Sequence, residues 1–118
     1  MMPLTTLMLI LSSVAMICSG QLLFKALGKK LHEGLAVTDP GVAALAVLAI
    51  GIYGLATLLW IYVLRTVPLT KAYPFMALSF VIVPIGSILF FSEQVRLQYV
   101  IGTALIVAGV VITTLSKG

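Results

Sequence analysis

The sequence predicts an all-α membrane protein in which four transmembrane helices form a compact bundle, and three observations predict it. Most of the 118 residues fall in four apolar blocks, 4–24, 42–64, 72–92 and 98–116. At a helical rise of about 1.5 Å per residue, each block is long enough for a hydrocarbon core of about 30 Å. The composition is 62% hydrophobic and 8% charged, where soluble domains carry about 25% charged residues. The charges lie at the joins between blocks. The chain 1–118 therefore reads as one four-helix transmembrane domain.

The first block lacks a basic leader region, and it exceeds the apolar run of about 7–15 residues in a signal peptide. It is expected to be a retained helix. Cys18, the sole cysteine, is read as a small packing residue. Gln21 and Lys25 stand four residues apart and so share a face. Unpaired amide groups are costly in lipid, so this face should meet protein or a water-filled cavity. Lys25 reads either as a snorkelling anchor at the membrane boundary or as a phosphate ligand at a cavity mouth. The first connection, Gly28 to Gly41, carries Lys29, Lys30, His32 and Glu33. Its Asp39-Pro40-Gly41 triplet signals a turn.

The second block closes with Trp60, Tyr62 and Arg65. Aromatic residues near a helix end form an interfacial belt or line a cavity mouth. Arg65 is a topological anchor or a bidentate phosphate clamp. A short turn with Pro68 leads to Lys71-Ala72-Tyr73-Pro74 and the third block. Pro74 falls in a first turn, where a missing N–H costs little. Pro84 lies inside, frees the carbonyl of Phe80 and predicts a kink, with Ser79 and Ser87 near enough to satisfy the disturbed backbone. Glu93 and Arg96 straddle the last turn. Glu93 either supports the N-terminus of the following helix or meets substrate. In the fourth block Gly102 and Gly109 are seven residues apart, on one stripe that lets another backbone approach closely. That backbone belongs to the same bundle or to a second protomer.

Short connections make consecutive helices antiparallel neighbours. Connections one and three then share a face with Lys25, Lys29, Lys30 and Arg96. The opposite face holds Arg65, Lys71 and Lys117. So small a bias permits insertion in both orientations and an antiparallel dimer, and it equally fits an ordinary weakly biased protein. Four spans also amount to one half of an inverted-repeat transporter, to be completed by a second subunit. The net charge of +4 is scattered over helix ends, which favours membrane lipid over nucleic acid. Neither metal ion nor cofactor is expected. His32 is the sole histidine, no two carboxylates are placed to work together, and there is no glycine-rich phosphate cradle. The reading is a transporter, not an enzyme.

Several stretches together resemble a known pattern: Gly20-Gln21 with Lys25, Trp60 through Val67-Pro68, Ala72-Tyr73-Pro74, Ser79-Phe80-Val81, Glu93, and Gly102 through Gly109-Val110. In order and spacing they resemble the small multidrug resistance transporters of the drug/metabolite (EamA-like) superfamily. Within it they are similar to the small subunits of the flippase for undecaprenyl-phosphate-linked aminoarabinose. The resemblance is poor over the first connection and the start of the second helix. It implies a multi-pass bacterial inner-membrane protein that flips a polyprenyl-phosphate-linked sugar in cell-envelope glycan modification. It also implies alternating access in a homodimer, or in a heterodimer with a similar four-helix subunit.

Drug-exporting members carry a first-helix glutamate at the position of Ile17 and a third-helix tryptophan at the position of Met76. Their absence argues against proton-coupled export of cationic drugs. Such an exporter of drugs or metabolites remains the alternative, beside a non-transporting subunit of a membrane glycosyltransferase system. For the flippase, the expected phosphate and substrate residues are Lys25, Arg65, Gln21, Tyr73 and Lys71. Trp60, Tyr62, Ser79 and Pro84 are expected at the cavity or hinge. Gly102 and Gly109 form the expected dimer contact, and Glu93 is a secondary candidate.

Overall fold

Alternating runs of apolar residues and short polar joins fold here into helices alone. The structure, a computed structural model, describes residues 3–115. Ser116 and Lys117, the end of the fourth expected span and one of the counted charges, lie outside the described residues. The elements are α1 (Leu4–His32), α2 (Pro40–Leu64), α3 (Leu69–Ala72), a 3-10 stretch (Tyr73–Leu78), α4 (Ser79–Phe91) and α5 (Leu97–Thr114). Four helical segments are long and apolar enough to cross a membrane, the third running without a gap from Leu69 to Phe91. The protein is a multi-pass membrane protein.

α1 continues past the expected Phe24 to His32. Nothing in Ala26-Leu27-Gly28-Lys29-Lys30 breaks a helix strongly enough, and the stop comes at Gly34, whose φ is +94°. There Gly34 N–H donates to Leu31 O and Leu35 N–H to Lys30 O, at 3.1 and 3.2 Å. This paired bonding past a left-handed glycine satisfies carbonyls that the helix end would otherwise orphan. The Asp39-Pro40-Gly41 triplet starts α2 instead of lying in the connection. Asp39 Oδ1 accepts from Gly41 and Val42 N–H at 2.9 and 3.3 Å, and Pro40 occupies the first turn, where it gives up no bond.

α1 and α2 form the tightest pair. α2 buries Val42, Ala49, Ala56 and Val63, one residue every seven, so a single stripe faces its neighbour. The alanines on that stripe allow a close approach. Gly20 of α1 admits the Tyr53 ring, since a Cβ there would lie 3.0 Å from Tyr53 Cδ2. Tyr53 in turn meets Phe24 at 5.4 Å between ring centroids. The best-buried cluster joins Ile10, Val14 and Cys18 of α1 to Val63, Val67 and Ala72, with Trp60 and Met76 packed against it.

The third span changes helical form at Tyr73–Leu78, around Pro74, which can donate no hydrogen bond. α4 then runs through Pro84 to Phe91. It nests against α1 at Gly86, where a Cβ would come within 2.6 Å of Leu22 Cδ1. α5 meets the rest mainly along the 3-10 stretch, and none of its residues is buried. The helices spread as a slab of 50 × 37 × 17 Å. Its broad faces are apolar, which suits lipid.

Candidate functional site

Two ends of the slab carry the expected charged residues. At one end lie the last turns of α1, the close of α4 and the entry to α5. α4 ends at Ser92, whose φ of 55° is left-handed, a backbone region that side chains other than glycine and asparagine visit rarely. The turn delivers Glu93 to α1, where Glu93 Oε2 lies 3.7 Å from Lys25 Nζ. One turn further along α1, Lys29 Nζ stands 5.6 Å from the centroid of the Phe91 ring. Lys25 was expected on this face of the first helix, and the continuation of α1 through the expected connection adds Lys29.

Both partners of the ion pair are about half exposed, 51% for Lys25 and 43% for Glu93. Such exposed pairs contribute only about 0.2–1 kcal/mol, so this one opens at little cost. It borders a cavity of about 540 Å³ with a two-part lining. Val83, Pro84 and Ile88 of α4 make an apolar wall, and Glu93, Arg96 and Tyr99 make a polar rim. Ser87 also lines it, which brings two of the three α4 residues expected at a hinge or its repair, Pro84 and Ser87, to this cavity. Ser79 lies at the start of α4, away from the lining. The side-chain hydrogen bonds found among the described residues involve neither serine.

The other end holds Arg65 and Lys71. Arg65 folds back on its own helix: Nε donates to Tyr62 O at 3.3 Å, and the guanidinium lies 4.2 Å from the Tyr62 ring centroid. Tyr62 and Tyr73 are both more than half exposed. Within one chain Arg65 and Lys25 stand at opposite ends, as the antiparallel α1 and α2 require. Trp60 is drawn into the packed cluster. Gln21 is exposed on the face of α1 that carries Lys25. A Cβ at Gly102 or Gly109 would meet nothing within 4 Å.

Sequence reasoning did not single out Ser13. It is fully buried in α1, and its hydroxyl has no partner among the described residues. A lone serine inside an apolar run gives no signal of its own. Nor did the sequence show that Glu93 pairs with Lys25, because a contact between α1 and the α4–α5 turn leaves no trace in local spacing. The described residues hold no group of three or more metal-ligating side chains.

The model of the EamA-like transporter family matches residues 1–115. A protein of Enterobacter sp. (strain 638) is 34% identical over 65 residues, covering 55% of this chain and 61% of the relative. Its name is probable 4-amino-4-deoxy-L-arabinose-phosphoundecaprenol flippase subunit ArnE. A protein of the same name from Aeromonas hydrophila subsp. hydrophila is 43% identical over 56 residues, with 48% of this chain and 49% of the relative covered. The one from Escherichia coli O45:K1 is 42% identical over 65 residues, with 55% and 59% covered. The chain thus spans about half to three-fifths of the length of the curated relatives it matches. No solved structure matches it.

Proposed function

Because the chain belongs to the EamA-like transporter family, we propose that it moves a polyprenyl-phosphate-linked sugar from one leaflet of the bacterial inner membrane to the other. The observation that carries this reading is the two-part cavity whose lining includes Glu93, the ion-pair partner of Lys25. Its apolar wall suits an acyl or prenyl tail that stays in the bilayer. Its rim, with Arg96 and the neighbouring Lys25, suits an anionic head group. The names of the relatives support the same substrate class.

A second four-helix subunit, set antiparallel to the first, completes the proposed path. It brings its Arg65 to the end that holds Lys25, so that each membrane face carries a composite basic site with Gln21, Tyr73 and Lys71 along the way. Two features support a partner. Gln21 is exposed within a membrane span, where an unpaired amide is costly. The Gly102–Gly109 stripe is open. Flipping of an undecaprenyl-phosphoryl sugar in proteoliposomes is the test. The wild-type chain is expected to move the lipid, and the Lys25→Ala, Arg65→Ala double variant is expected to lose most of that rate. A double variant as fast as wild type sinks the site.

A further inference from the structure

The carboxylate beside the cavity is unexplained by phosphate binding alone. The chain has three acidic residues. Asp39 is used as the cap of α2, and Glu33 closes α1 away from the lining. Glu93 alone of the three lines the cavity, within 3.7 Å of Lys25. A carboxylate so close competes for the lysine and repels any simple phosphate, which is a poor design for a site that reads an anion only. It suits a head group that carries both signs.

Resting on the flippase reading, we infer that Glu93 selects an amino-sugar head group. Its carboxylate takes the substrate ammonium while Lys25 and Arg96 take the phosphodiester, so the substrate's two charges replace the internal Lys25–Glu93 pair. An amine on the sugar ring and a phosphodiester at the ring's anomeric carbon lie on opposite sides of one small ring. The pair must therefore part to admit it, and the exposure of both residues lets it part. The cavity volume of about 540 Å³ lies within the range of about 300–1,000 Å³ usual for small-molecule sites. Gln94, Gln98 and Tyr99 around the rim offer hydrogen bonds to the ring hydroxyls.

The experiment compares two probe lipids in proteoliposomes: undecaprenyl phosphate bearing 4-amino-4-deoxy-arabinose, and the same lipid with its amine acetylated. The wild-type chain is expected to flip the free amine up to about fivefold faster, the upper value of one partly exposed charge pair. Glu93→Gln is expected to bring the ratio of the two rates to about one, and Glu93→Asp, which keeps the charge, to retain most of the preference. Equal rates in the wild type overturn the inference, as does a Glu93→Gln variant that slows both lipids in proportion. In either case flipping by the wild type leaves the transporter reading standing. A wild type that moves neither lipid overturns both.

Discussion

The α1–α2 pair and the α4–α5 pair are comparably apolar in sequence and unlike in packing. α1 and α2 interlock along small residues, with Ala49 and Ala56 fully buried and Tyr53 seated over Gly20. α5 buries none of its residues and leaves Gly102 and Gly109 facing open space. Hydrophobicity alone does not separate them, because in a bilayer lipid solvates an exposed leucine as well as a buried one. What separates them is where small residues fall on a stripe that meets a partner within the chain. The N-terminal pair is a scaffold. The C-terminal pair holds the cavity and an open glycine stripe.

The sharpest way to break this comparison is to make one change on both sides. Ala56→Leu inserts three carbons where the α1–α2 contact has no room. It is expected to lower stability by about 1–3 kcal/mol. Ala104→Leu, on the exposed surface of α5, is expected to stay within about 0.5 kcal/mol of wild type. Thermal unfolding of both variants in the same detergent measures the gap, and equal losses would mean that α5 is packed as tightly as α2.

A smaller contrast uses glycine. Gly86→Ala forces Leu22 out of its rotamer, at a cost of about 0.5–1.5 kcal/mol. Gly109→Ala meets nothing and gains the helix preference of alanine over glycine, about 0.5–1 kcal/mol. Gly86→Ala, also inside a helix, gains the same preference, so the two variants should differ by the rotamer cost alone, about 1 kcal/mol in the isolated chain. If the open stripe is where a second subunit seats, Gly109→Leu should also separate differently tagged copies, or this chain from its partner, on co-purification. Undiminished association would move the subunit contact elsewhere.

The four spans were legible because lipid imposes a length and a composition that few soluble segments meet. The end of α1 was not. Gly28 and the Lys29-Lys30 pair look like a connection, whereas helix continues until Gly34 provides the left-handed turn. Pro84 was legible as a proline inside a helix, whereas Pro74, read as costing little in a first turn, lies in the stretch where the helical form changes. Among the site residues, sequence spacing brought Gln21 and Lys25 to one face and separated Lys25 from Arg65. It gave Glu93 as a helix-end charge or a substrate contact, and only the fold brings it against Lys25. Trp60, read from its place near a helix end, is partly buried and packs against the buried cluster.

A small effect on stability is also expected where the two regions touch by charge. Lys25 belongs to the packed half and Glu93 to the open half, and both are about half exposed. Either Lys25→Ala or Glu93→Gln should therefore change stability by no more than about 1 kcal/mol, in contrast to Ala56→Leu. A loss of several kcal/mol in either variant would make the pair a structural clasp between the halves and would remove the argument that it opens for substrate. A small loss, together with a changed ratio of amino to acetylated lipid in Glu93→Gln, would instead mark the pair as a place where little folding energy is invested and substrate discrimination is concentrated. That is the physical requirement on a contact that must exchange its partners in every transport cycle. An interaction strong enough to hold the helices together would hold them against the substrate as well.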